Sequence, residues 1–230
     1  VCQKCTKAAE RFLSQGDHIA VMAKLEYLAN RTNSIREYTI RKEIREWSFN
    51  WLEEPDDRYN GMSPCPYARR AWNDDKVFIT FKHLKSYWPV FDVLENFNDD
   101  KDLTIIADTQ YEEEPEEFHQ RLVGINHGIA NGAFGDKNLW IMGFHPDDEE
   151  HEGMLDYEDD APIEYDTSSL LIPPDEEEIY AMIFIQRLDK LQEAAYKLKP
   201  TGYYEAMFKD SEPSHIFELR EQFYKQLKEN

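Results

Sequence analysis

Five consecutive residues, Phe144-His145-Pro146-Asp147-Asp148, put one imidazole beside two carboxylates at the close of an apolar run. Histidine offers nitrogen and aspartate offers oxygen to a divalent cation. The same groups also serve general acid–base chemistry. Two earlier apolar runs, 77–81 and 103–107, are followed by His83 and Asp108, which extend the set. On this pattern catalysis falls to His145 and Asp147, metal ligation to His145, Asp148 and His83, and ligand contact to Asp108. The competing reading is structural, since polar residues after strands are ordinary loop residues and a His-Pro-Asp is often only a turn. His119 and His127 stand too far apart in sequence to share a ligand face on one helix.

A second cluster is Pro64-Cys65-Pro66-Tyr67-Ala68 with Arg69-Arg70 behind it. Cationic neighbours lower a thiol pKa and favour the nucleophilic thiolate. Cys65 is thus a candidate nucleophile, and Arg69 and Arg70 are candidates to hold an anionic group of a ligand. A buried cysteine in a proline-braced turn explains the same residues. Cys2 and Cys5 form one Cys-x-x-Cys, half of a zinc site, which Cys65 and a histidine would have to complete.

The run His145-Pro-Asp-Asp-Glu149 resembles the zinc-binding opening of the LmbE-like amide deacetylases. That likeness implies zinc on His145 and Asp148, with Asp147 as base. It covers about eight residues, and His151 and His215 do not match the family's second motif. Cys65-Pro-Tyr67 resembles glutaredoxin, although Ala68 stands where the second cysteine belongs. A broader resemblance joins Cys-Pro-Tyr-Ala at 65–68 to Phe-His-Pro-Asp at 144–147. Together they are similar to a bacterial family marked by Asn-Leu-Cys-Pro-Phe-Ala and Ser-Phe-His-Pro-Asp, over about residues 60–200. The chain departs from that pattern at Met62-Ser63-Pro64, at Gly143 and in the acidic stretch after Asp148. The resemblance groups Cys65 with His145 and implies no particular reaction.

These residues need elements to position them. Apolar, β-rich runs predict strands at 77–81, 103–107 and 139–144, alternating with helices at 87–97 and 115–131. A long helix is expected from Asp175 to Leu198, ended by Pro200 and Gly202. Alternation of this kind is the α/β signature, with α+β ferredoxin-like (split βαβ) packing as the alternative. Right-handed crossovers make the three strands parallel, so their carboxyl ends share the edge at which open α/β sheets bind ligands. The sheet is small, of three strands or more. Before it, residues 1–53 form a helical arm, with helices at 8–14, at 18–30 and from Ser34, where Glu37 completes a capping-box spacing. The body spans 54–204, and a helical tail occupies 205–230.

Composition limits the function classes. The chain has 230 residues, a formal charge of −21 and 41% hydrophobic residues, enough to build a core. Residues 51–196 carry −24, and 15 of those acids lie between Asp147 and Glu178. Phosphate backbones and anionic membranes repel such a surface, so no membrane and no nucleic-acid backbone is the expected partner. A non-catalytic reading is an acidic protein that engages a basic partner, or imitates nucleic-acid charge. Three cysteines without framework spacing point to a reducing cytoplasm. Trp47, Phe49, Trp51 and Trp72 crowd the arm–body junction and suit either a core or a homodimer interface.

Overall fold

The computed structural model describes residues 18–135, 137–147, 179–209 and 215–229. The helix expected at 8–14, Cys2 and Cys5, Asp148 and the acidic stretch after it lie outside the described residues. The chain divides into two compact units, Val1–Ile44 and Arg45–Asn230. The expected boundary at 53/54 falls within the second unit, where Arg45 pairs with Glu53 and the Trp72 indole donates to Ser48 Oγ.

The two helices expected at 18–30 and from Ser34 are one, which begins in the first unit and ends with the first three residues of the second. Helix α1 runs His18–Trp47 without a break. The intervening Arg31-Thr32-Asn33 holds neither proline nor glycine, so nothing interrupts the i→i−4 ladder. The Ser34 capping box therefore lies inside a helix instead of starting one.

In the second unit a π-helical turn, Ser48–Leu52, follows. Then come a 3-10 turn, Asp57–Tyr59, and a short helix α2, Ala68–Asn73. The sheet begins with β1, Val77–Lys82, then helix α3, Trp88–Asn96, β2, Leu103–Asp108, helix α4, Pro115–Ala130, and β3, Leu139–Phe144. Strand β4, Ala181–Arg187, leads straight into α5, Leu188–Leu198. A short α6, Tyr203–Met207, and α7, His215–Glu229, complete the unit. No described helix is long and apolar enough to cross a membrane.

The architecture is α/β, a four-stranded mixed sheet in the order β1-β2-β4-β3 with helices against it. β1 and β2 are adjacent and parallel, while β4 runs antiparallel to both β2 and β3. The three expected strands do run in one direction, as right-handed crossovers require. The first pair forms a direct βαβ unit, and β2-α4-β3 is a split one with β4 inserted. That fourth strand corrects the long helix expected from Asp175 to Leu198: among the described residues of that span, Ala181–Arg187 is strand and Leu188–Leu198 is helix. Ala-Met-Ile-Phe-Ile is apolar on both faces because β4 is a central strand, and periodicity cannot tell such a run from a buried helix.

The register decides which side chains share a face. Ile106, Ile141, Ile183 and Ile185 point to one side and pack under Val90 and Leu94 of α3 and Phe118, Leu122, Ile125 and Ile129 of α4. On the other side Trp140 meets Leu188, Leu219, Phe223 and Tyr224 of α5 and α7. Trp47 lies edge-on to Phe144 and Phe184 and stacks on Trp51, so these two tryptophans pack inside the second unit.

Two contacts fix α4 on β3. Asn126 is buried and donates to Ile141 O at 2.7 Å, while Ile141 N–H donates to Asn126 Oδ1 at 2.9 Å. The side chain thus pairs backbone groups of an edge strand that would otherwise be open to another chain. Gly143 makes the close approach possible. A Cβ there would stand 2.6 Å from Leu122 Cδ1 and from Phe118 Cε1 and Cζ. Phe118 is fully buried and has nowhere to move. Gly143→Ala is expected to cost about 1–3 kcal/mol through overpacking, read as a lowered urea midpoint with an unchanged slope. A substitution without effect would show that α4 does not press on β3 as described.

Candidate functional site

The carboxyl ends of β1 and β2 stop level, with Lys82 opposite Asp108 and Asp108 opposite Ala181 of β4. Lys82 and Asp108 therefore emerge on the same face, one strand apart. The Lys82 ammonium donates to both carboxylate oxygens, at 2.9 and 2.8 Å, and both side chains are 1% exposed. Burial pushes the Asp108 carboxyl above the usual carboxylate range, while Lys82 and the Gln110 amide pull it back down. The Gln110 N–H reaches Asp108 Oδ1 at 3.0 Å. Next to the pair, Thr109 donates its amide and its hydroxyl to Lys82 O, each at 3.2 Å. His83 Nδ1 lies 3.1 Å from that hydroxyl oxygen. With the hydroxyl proton directed at Lys82 O, the ring nitrogen is the donor.

A wall of polar groups rises from this floor. Tyr87 OH donates to Glu113 Oε2 at 2.8 Å, and Arg121 Nη2 pairs with Glu113 Oε1 at 2.5 Å. The Tyr87 ring lies 5.2 Å from Lys82 Nζ and 5.0 Å from Arg121 Cζ, two cation–π contacts on one aromatic. Burial raises the Tyr87 hydroxyl pKa, and the Glu113 carboxylate adds to the shift. The hydroxyl is thus a fixed donor.

His145 ends up beside this wall and serves as a brace. It is 2% exposed. Its Nε2 donates to Glu113 O at 2.9 Å, and its Nδ1 accepts the Asp147 N–H at 3.2 Å. Tyr111 and Phe118 hold the ring at 5.0 and 5.5 Å between centroids. The imidazole ties the turn after β3 to the segment before α4 through the backbone on both sides. Asp147 leaves its carboxylate 73% exposed, with Oδ2 3.7 Å from His145 Nδ1.

Between these groups lies an open crevice of about 120 Å³, lined by Lys82, Lys85, Tyr87, Asp108, Gln110, Tyr111, Glu112 and Glu113. Lys85 and Glu112 form an ion pair at its rim, and both are largely exposed. Of the residues singled out from the sequence, Asp108 lines the crevice. His83 and His145 flank it through their bonds to Thr109 and Glu113. Lys82, Tyr87, Glu113 and Arg121 were not singled out. Lys82 closes an apolar run, which reads as a solvated strand end, and the one available signal was its position level with Asp108 once the strands are taken as parallel.

The Cys65 cluster is built elsewhere. Cys65 N–H donates to Leu52 O, and Tyr203 OH donates to Pro64 O at 2.5 Å. The named contacts of Cys65 and those of His145 share no residue. Burial pushes the Cys65 thiol up, and nearby Glu53 adds to this, whereas the Tyr67 and Ala68 amides pull it down. The arginine pair is not among the groups that shift the thiol, and both guanidinium groups are engaged by carboxylates. Arg69 pairs with Glu53 and Glu54, and Arg70 with Asp74. Among the described residues, no group of three His, Cys, Asp or Glu side chains is placed to hold a metal ion.

Comparison with protein-family models, curated proteins and solved structures finds no match. The likeness to a bacterial family therefore rests on 65–68 and 144–147 alone.

Removing one member of a buried pair strands the other charge, at about 3–5 kcal/mol, whereas replacing both with apolar groups is close to neutral. Lys82→Met is expected to lower unfolding stability by that amount, and Lys82→Met with Asp108→Leu to recover most of it. A single variant costing under about 1 kcal/mol would contradict the burial of the pair. In a chain with Cys2 and Cys5 changed to serine, Cys65 should alkylate slowly with iodoacetamide at pH 8. Its rate should rise with an apparent pKa above the ordinary thiol value of about 8.5. An apparent pKa near 7 would overturn that assignment.

Proposed function

We propose that the chain is a small-ligand-binding protein whose site is the crevice at the carboxyl ends of β1 and β2. One observation carries this reading, the fully buried Lys82–Asp108 pair that forms the crevice floor. Buried charge is costly to keep, and a carboxyl shifted by burial and held by a specific partner in a cleft, as Asp108 is, marks a functional-site candidate. Ligands of open α/β sheets enter at this edge. Tyr87, Glu113 and Arg121 form a wall whose hydrogen bonds are already made, so a ligand meets a preorganised surface. His145 and Asp147 support the site by fixing the Glu113 segment. Binding requires none of these groups to change protonation state, and every contact is consistent with it. Cys65, away from this cluster, supplies no nucleophile to it.

The volume sets the scale of the ligand. At about 120 Å³ and open to solvent, the crevice has room for a solute of a few heavy atoms, below the about 300–1,000 Å³ of sites for drug-sized molecules.

A thermal-shift screen of small polar solutes tests the reading. A ligand present at a hundredfold excess over its Kd stabilises the folded state by about 2.7 kcal/mol, which raises Tm by about 5–10 °C for a chain of this size. The shift should be reduced in Lys85→Ala, which alters the exposed rim of the crevice and not the core. A screen in which no solute moves Tm, or in which Lys85→Ala keeps the full shift, would overturn the assignment.

A further inference from the structure

The charge and hydrogen-bond inventory of the crevice narrows the class of ligand, and this step rests on the small-ligand reading above. Lys82, Lys85, Asp108, Glu112 and Glu113 line the space, and each carboxylate is paired with a cation, Asp108 with Lys82, Glu112 with Lys85 and Glu113 with Arg121, which stands outside the lining. Every charge of the described lining is therefore already compensated. A simple anion or cation entering it leaves one charge without compensation in a partly enclosed space, which is unfavourable. A neutral solute avoids this but has no use for the charged rim.

The floor offers both kinds of hydrogen bond. An ammonium has three N–H donors, and Lys82 directs two at Asp108. Asp108 Oδ1 accepts from Lys82 and from Gln110 N–H, whereas Oδ2 accepts only from Lys82 among the described residues. One donor and one acceptor position thus stand side by side at the bottom. At the mouth, Lys85 and Glu112 repeat the arrangement in an exposed pair, with side chains 70% and 61% exposed. Exposed pairs contribute little to stability, so a ligand can open this one at small cost.

We infer that the crevice takes a small zwitterion the size of an α-amino acid, its carboxylate between Lys85 and the Lys82 ammonium, its ammonium between Glu112 and Asp108 Oδ2. A molecule carrying both charges keeps the lining balanced, satisfies both floor positions and exchanges the rim pair for two ligand pairs. Tyr87 and Tyr111 flank the space with aromatic surface, which suits a short side chain.

The test is titration of the intact, nitrogen-labelled 230-residue chain by NMR at neutral pH. Glycine, serine and β-alanine serve as zwitterions, acetate as anion and ethylammonium as cation. The expected result is saturable movement of the Lys85, Gln110 and Glu112 amide signals with a zwitterion, at a Kd at least tenfold below that of acetate or ethylammonium. Lys85→Ala should weaken that binding at least fivefold while the remaining spectrum stays in place. Acetate or ethylammonium binding as tightly as the zwitterions would overturn the inference. So would a crevice that takes another solute from the thermal-shift screen but no zwitterion, and that result leaves the small-ligand reading standing. Silence across both sets removes both.

Discussion

Taking an ammonium and a carboxylate out of water costs several kcal/mol per ion. Lys82 and Asp108 sustain that cost only because β1 and β2 are parallel and end level, which brings the two side chains out together on one face. A slip of one residue would carry Lys82 to the opposite face and leave Asp108 buried alone. The pair therefore penalises every other register of these strands. Once it is set, the two chains leaving the strands run side by side. Thr109 can reach Lys82 O, and Lys82 can lie over the Tyr87 ring. The crevice is a consequence of this constraint.

The opposite wall depends on how closely α4 approaches β3. Gly143 gives Phe118 and Leu122 room against the strand, and Asn126 fastens the helix to the backbone of Ile141. Phe118 in turn packs on His145. That ring is bonded to Glu113 O, and the Glu113 carboxylate collects Tyr87 and Arg121. A continuous set of packed and hydrogen-bonded groups thus joins Gly143 to Tyr87. His145 has most of its influence here, as a buried link between two loops.

The sheet edge that carries the candidate site could be read from the sequence, although of the residues that line the crevice only Asp108 was singled out. The apolar runs ending at Phe81, Ala107 and Phe144 are short, β-rich and separated by helical spacing, so three parallel strands followed, and with them a shared edge holding Asp108 and His145. The burial of Lys82 was not legible, because lysine at a strand end is ordinarily solvated and its partner is 26 residues away. The roles of the His145 nitrogens were hidden for the same reason, since Glu113 O is 32 residues distant. Arg69 and Arg70 looked like thiol activators by adjacency, yet side-chain direction carries them to Glu53, Glu54 and Asp74.

The sequence by itself determined the α/β class, the three co-directional strands and their intervening helices, because these follow from periodicity and breakers within a dozen residues. It also placed polar chemistry at the strand ends. Only the tertiary structure decided that an apolar segment after the acidic stretch becomes β4, inserted antiparallel between β2 and β3. It also decided that Lys82 and Asp108 meet as a buried ion pair, and that the named contacts of His145 and of Cys65 share no residue. The physical reason is that burial and pairing are properties of register and packing, which join residues remote along the chain, whereas a local pattern specifies only what each segment can become.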